Sequence, residues 1–94
     1  MIILRIEHRV ANYEGWKKAY DSDPINRKQS GVRRYRIYQL TDDPNYVIID
    51  LEFDTLNGAE TALTALHKMW KNVEGSLMFK PKTSILDLTE TIEY

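Results

Sequence analysis

Apolar and polar residues alternate along the first ten positions. Ile2, Leu4, Ile6, His8 and Val10 fall on one side, and Ile3, Arg5, Glu7 and Arg9 on the other. That period of two predicts a strand from Ile2 to Val10 whose first set meets the core. The period then changes. Tyr13, Trp16 and Tyr20 recur at i, i+3 and i+7, an aromatic stripe on one face of a helix. Asn12 is placed to cap it by accepting an orphan backbone N–H, and Glu14 suits the positive end of its dipole. Gly15 weakens the first turn by up to ~1 kcal/mol relative to alanine. Asp23-Pro24 reads as a cap followed by a proline at a first helical position, and Gly31 as a stop. These predict a short second helical segment over residues 24–30.

Residues 31–53 form the centre of the pattern. Residues 31–40 are β-rich, Thr41-Asp-Asp-Pro-Asn is dense in turn formers, and Tyr46-Val-Ile-Ile-Asp-Leu-Glu-Phe resumes the strand. The whole predicts an antiparallel hairpin. In its first arm Val32, Arg34, Arg36 and Tyr38 share a face. In its second, Val47, Ile49, Leu51 and Phe53 take the core side, opposite Tyr46, Ile48, Asp50 and Glu52. Asp54 or Thr55 then caps a second long helix. Its apolar face is Leu56, Ala59, Leu63, Leu66, Trp70 and Val73, and Gly75 ends it. Met78-Phe79 reads as a buried connector. A last strand is predicted from about residue 83 to 92, with Leu86, Leu88 and Ile92 on one face and Ile85, Asp87, Thr89 and Thr91 on the other.

The order is β-α-β-β-α-β, an α+β arrangement of the ferredoxin-like type: a four-stranded antiparallel sheet with both helices on one face. The 94 residues make one domain, 1–94, without linker or repeat. The other face of the sheet needs solvent or a partner. It is read as carrying Ile3, Tyr38, Tyr46, Ile48 and Ile85 among its charges, so a homodimer pairing two such faces is expected.

Composition narrows the function classes. Thirteen basic against fourteen acidic residues give a net charge of −1, which argues against nucleic acid. There is no cysteine, hence no disulfide, thiolate nucleophile or cysteine-held metal. Two histidines at no ligand spacing predict no metal site. No glycine-rich phosphate loop or nucleotide fingerprint is present, and no cofactor is expected. No run approaches the ~20 apolar residues of a membrane span, and the first residues lack a signal peptide's apolar stretch. A soluble cytoplasmic protein is the expectation.

The segments His8-Arg-Val-Ala-Asn-Tyr-Glu-Gly-Trp-Lys, Gly31-Val-Arg-Arg-Tyr-Arg-Ile and Leu51-Glu-Phe-Asp, with the length and element order, resemble the dimeric α/β-barrel superfamily. That group includes the antibiotic-biosynthesis monooxygenases and many small proteins of unassigned role. The resemblance implies a homodimeric α/β barrel whose sheets close on each other. It places any pocket between sheet and helices or inside the barrel. It leaves two function classes open: a module binding a small organic molecule, or a cofactor-independent monooxygenase or cyclase acting on a small aromatic or polyketide-like molecule. Haem-degrading members use an asparagine on the first strand. The inward positions of the first strand here are Arg5 and Glu7, which argues against haem.

His8 is the candidate catalytic residue, since its free pKa lies near neutrality; a buried histidine bonded to a carbonyl or tyrosine is the plainer alternative. His67 reads as a surface residue. The aromatic stripe reads as core, or as the wall of a pocket for a flat ligand. Arg34, Arg36, Asp50, Glu52 and Tyr38, together with Arg5, Glu7, Arg9 and Asp87, are read as sharing the uncovered face. They form either a charge network at a dimer interface or a cavity binding a small anion through Arg34 or Arg36, with Asp50 or Glu52 as base. The network is the preferred reading, because burying charges without partners is costly.

Overall fold

The computed structural model describes residues 1–73 and 78–94. The elements follow the expected order: β1 (Ile2–Val10), α1 (Tyr13–Asp21), β2 (Arg34–Leu40), β3 (Asp43–Phe53), α2 (Leu56–Val73) and β4 (Met78–Asp87). The four strands make one antiparallel sheet in the order β2-β3-β1-β4. β1 is therefore central, flanked by β3 and β4. Its alternation is realised in full: Leu4, Ile6, His8 and Val10 are buried beneath the helices. Val47, Ile49, Leu51 and Phe53 of β3 join them.

The helices close this side. The Asn12 side chain accepts from Gly15 N at 2.7 Å, so α1 is capped as the sequence indicates. α1 buries Trp16. Of the two capping candidates for α2 it is Thr55 that serves, its Oγ1 accepting from Gly58 N at 3.0 Å. α2 buries Ala59, Ala62, Leu66 and Trp70. Leu56, expected on this stripe, is exposed, and Ala62 takes part instead. The small alanines let α2 lie close over the sheet. Gly75, read as the end of α2, lies outside the described residues.

Further expectations are corrected. Residues 24–30 form turns, not a helix. Asp23 and Asn26 sit at φ 55° and 53°, left-handed values that a right-handed helix cannot pass through. The Asp23 carboxylate instead accepts from Arg27 N at 2.8 Å, and Gly31, at φ 97°, turns the chain into the hairpin. β2 consequently starts at Arg34, and Val32 is buried in the core rather than sharing a face with Arg34.

The hairpin turn is tighter than its composition indicates. Thr41 and Asp42 alone form it, and Asp43, Pro44 and Asn45 belong to β3. The surplus residues are absorbed by an irregularity, since Gln39 pairs with Val47 but Leu40 with Asp43.

β4 runs from Met78 to Asp87, not from about 83 to 92. Met78 is buried and Phe79 is exposed, both within the strand. The pairing of β1 with β4 shifts by one residue between Glu7 and Arg9, where Lys80 adopts φ 47°. The strand stops at Asp87 because its partner stops: Ile2 opposite Asp87 is the last pair, followed by one bond from Leu88 N to Met1 O at 3.0 Å. The register sets Ile85 opposite Leu4 and Asp87 opposite Ile2, on the helix side. Ile85 and Asp87 are therefore not on the uncovered face; Leu86 and Ser84, opposite Ile3 and Arg5, are.

Candidate functional site

Between the sheet and the helices lies a cavity of about 260 Å³. Its floor is Ile6 and His8 of β1 with Ile49 and Leu51 of β3. Trp16 and Tyr20 of α1 form one wall, Leu66, Met69 and Trp70 of α2 another, and Met78 of β4 closes an end. The remaining side comes from Ser22 at the end of α1 and from Pro24, Ile25 and Arg27 of the turn that replaces the expected helix. The lining is overwhelmingly apolar, with two indoles and two thioethers. It suits a flat apolar molecule near the small end of the usual ligand-pocket range.

The polar groups of this cavity are few. His8 is 3% exposed, with its ring edge-on to Trp16 at 5.7 Å between centroids. Its Nδ1 lies 3.4 Å from Arg9 O, a long contact in which Nδ1–H is the donor. Burial lowers the His8 pKa below its ordinary value, and that contact opposes the shift only in part. The ring is therefore neutral near pH 7. With the proton on Nδ1, Nε2 keeps its lone pair and can act as a base.

Tyr20 continues the stack, 5.2 Å from Trp16. Burial pushes its phenol pKa well above the ordinary value, and the nearby Arg27 opposes this only in part. The Tyr20 Oη is buried and has no hydrogen-bond partner among the described residues. Arg27 lies over the Tyr20 ring at 4.0 Å and near the Tyr35 ring at 5.1 Å. Its guanidinium donates to Tyr20 O at 2.7 Å and sits 3.5 Å from the Asp23 carboxylate. Arg27, the one cation on the wall among the described residues, thus already has a counter-charge and an acceptor.

The other sequence candidates lie on the opposite face of the sheet. Arg34, Arg36 and Tyr38 of β2 pair in register with Glu52, Asp50 and Ile48 of β3. Five of the six candidates are therefore brought together, and His8 is separated from them by the thickness of the sheet. Asp50 accepts two bonds from Arg5, at 2.8 and 2.9 Å. Arg36, its direct cross-strand neighbour, is left to Glu52 at 3.8 Å, and Arg34 reaches the same Glu52 oxygen at 4.0 Å. Asp50 and Glu52 are buried within the single chain, while both β2 arginines are exposed. Tyr46 Oη donates to Glu7 at 3.2 Å, and Arg9 pairs with Asp43 at 2.6 Å. His67 is exposed, as read. Among the described residues no group of three or more His, Cys, Asp or Glu is arranged to hold a metal ion.

Sequence reasoning flagged Tyr20 through the aromatic stripe but missed Arg27, which it placed in a helix. The signal available was Asp23 four residues before Arg27 with Asn26 between. Asp and Asn tolerate left-handed backbone and bond their own turns.

No protein-family model matches the chain, and no curated protein matches it. Solved structures do. SnoaB, a cofactor-independent oxygenase from Streptomyces nogalater, superposes with a TM-score of 0.77 at 9% identity, over 99% of this chain and 97% of that one. An antibiotic biosynthesis monooxygenase gives 0.67 at 10% identity, over 96% of this chain and 100% of that one. A dimeric ferredoxin-like protein from an uncultured marine organism gives 0.64 at 11%, over 96% and 97%. At such identities the likeness is one of fold. The chain has the ferredoxin-like β-α-β-β-α-β fold of these proteins. Among the described residues no helix is long and apolar enough to cross a membrane.

Proposed function

We propose that this chain is one protomer of a homodimeric α/β barrel that binds a small neutral aromatic molecule in the cavity between sheet and helices. The observation that carries the ligand reading is the cavity wall itself: two indoles and aliphatic side chains, with its arginine already paired to Asp23. An anion would have to displace Asp23; a neutral ring would not. The dimer reading is supported by the uncovered sheet face, where Ile3, Tyr38, Ile48 and Leu86 lie among ion pairs, and by a structural neighbour described as dimeric.

The test uses 1-naphthol and 1-naphthoate, read by quenching of tryptophan fluorescence and by thermal shift. A ligand that binds only the folded state raises the melting temperature with concentration. 1-Naphthol is expected to do both and the carboxylate neither. Equal or preferential binding of the carboxylate overturns the neutral-ligand reading.

His8 favours a second reading, cofactor-independent oxygenation, in keeping with the activity named for SnoaB. A neutral imidazole in an apolar cavity is poised to take a phenol's proton. The electron-rich phenolate then reduces dioxygen, and 1-naphthol plus O2 gives 1,4-naphthoquinone plus water. His8→Gln is expected to retain 1-naphthol binding and to lose oxygen consumption. Oxygen uptake at the parent rate in that variant overturns this second reading.

A further inference from the structure

Of the residues that line the cavity, Ser22 and Pro24 are exposed, and the others are buried or half-buried. The cavity therefore meets solvent where α1 gives way to residues 23–31. That segment is bonded to itself. Asn26 N donates to Asp23 O at 3.0 Å, Ser30 N to Asn26 O at 2.9 Å and Val32 N to Arg27 O at 2.9 Å. The Ser30 hydroxyl donates to Ile25 O at 2.6 Å. Among the described residues no hydrogen bond ties residues 23–32 to the sheet or to α2. The first to do so is Arg33 N to Glu52 O, at 2.8 Å. Left-handed backbone stands near both ends, at Asp23 and at Gly31. A compact loop that satisfies its own bonds between two such points can swing as a unit.

Side chains hold it down at two places. Ile25 packs against the core. Arg27 reaches out to both neighbouring elements, over the Tyr20 ring of α1 at 4.0 Å and the Tyr35 ring of β2 at 5.1 Å. The two rings meet edge to face at 5.2 Å. Tyr35 pairs with Leu51 and so points to the helix side of the sheet, yet it is no part of the cavity lining. The Arg27 side chain is only 14% exposed, and a shielded cation–π contact is stronger than one in water.

We infer that residues 23–31 are the lid of the cavity and that Arg27, clasped by Tyr20 and Tyr35, is its latch. Release of the guanidinium lets Pro24 and Ile25 lift from the mouth, and re-stacking closes it over the occupant. The lid serves the ligand proposed above and rests on that reading only for what passes through it.

Access is measured without any ligand through Met78, which lines the cavity at 4% exposure, with Met1 at 46% as internal reference. Dilute hydrogen peroxide converts each thioether to its sulfoxide, and peptide mass spectrometry gives the two rates. Arg27→Gln is expected to speed oxidation of Met78 relative to Met1 about tenfold. Tyr35→Leu, which leaves the lining intact, is expected to speed it about threefold. Lys28→Gln, which removes an exposed neighbouring cation, is expected to change nothing. Local opening is insensitive to urea below the unfolding transition, whereas exposure through whole-chain unfolding climbs steeply with it. Met78 oxidised at the parent rate in both latch variants overturns the latch. Acceleration that climbs with urea, or that Lys28→Gln reproduces, overturns it equally.

Stopped-flow quenching of tryptophan by 1-naphthol then tests the lid as the way in. Arg27→Gln is expected to raise association and dissociation rates together, about tenfold, with the dissociation constant held within about threefold. Rates equal to the parent's, with Met78 oxidation accelerated, overturn the lid as the ligand's route. A parent chain that fails to bind 1-naphthol overturns the ligand reading instead, and the Met78 rates alone decide the lid.

Discussion

On the helix side of β1, His8 is enclosed by an indole and aliphatic carbons. One residue away on either side, Glu7 and Arg9 face the other way and are tied to Tyr46 and Asp43. The same strands thus build two surfaces with opposite electrostatics. On the covered side the polar groups of β1 and α1 are neutral, and burial has shifted His8 down and Tyr20 up, each toward its uncharged form. On the bare side the groups are charged and lie in ion pairs, with Arg34 and Arg36 sharing Glu52. The ion pairs of the bare side link neighbouring strands of the sheet, Arg5 of β1 to Asp50 of β3 and Arg36 of β2 to Glu52 of β3.

The comparison is broken most strongly through packing. Trp16→Ala removes the ring that touches His8, Tyr13 and Tyr20 at centroid separations of 5.7, 5.8 and 5.2 Å. A loss of about 3–5 kcal/mol in denaturant unfolding is expected. A loss below about 1 kcal/mol would mean that the covered side collapses freely and is no preformed cavity.

On the bare side an asymmetry is expected within one ion pair. The Asp50 side chain is 8% exposed and that of Arg5 39%. Arg5→Ala strands a buried carboxylate and is expected to cost about 2–3 kcal/mol, less than a fully buried pair because water still reaches the arginine. Asp50→Asn leaves an arginine that can turn to solvent, and about 1 kcal/mol is expected. Equal losses from the two variants would show that Arg5 is shielded as well, as a stacked second sheet would make it.

What was legible in the sequence was whatever local period decides. β1 and the core face of β3 follow from alternation, and the caps at Asn12 and Thr55 follow from a side-chain oxygen beside a helix start. What was not legible is set by distant partners. β4 begins and ends where β1 allows, so Ile85 and Asp87 change sides once the register is known. In residues 22–31, Asp23-Pro24 offers a helix start, but left-handed Asp23 and Asn26 win because their side chains bond the turn. The cavity inherits that uncertainty. His8 was visible as a titratable group on an apolar face, whereas Arg27 reaches the site only through the turn.

A smaller effect sharpens the His8 side. The His8 pKa is depressed in the folded state, so below its ordinary value near 6.5 the unfolded chain binds a proton that the folded one resists. Stability is therefore held above that value and falls as pH drops from it toward the folded pKa. Melting curves between pH 8 and 5.5 are expected to show this decline in the parent, and to show less of it in His8→Gln. An identical pH profile for the two would place His8 in contact with water.

The last effect is small and opposite in sign. Tyr20→Phe deletes a buried hydroxyl that has no partner among the described residues and keeps the ring that stacks on Arg27 and Tyr35. An unsatisfied buried hydroxyl is a liability, so the variant is expected to be as stable as the parent or more so, by about 0–1 kcal/mol. Alkaline pH provides a second readout with a defined sign. Because burial raises the Tyr20 pKa above the value near 10 of an exposed phenol, the unfolded chain releases a proton that the folded chain retains. The parent therefore loses stability as pH rises above ~10, and Tyr20→Phe is expected to lose less. Destabilisation by more than about 1 kcal/mol at neutral pH would mean that the hydroxyl is hydrogen-bonded in solution. The covered face would then hold a satisfied polar network instead of an isolated phenol, and the contrast between the two faces of the sheet would narrow to the charges alone.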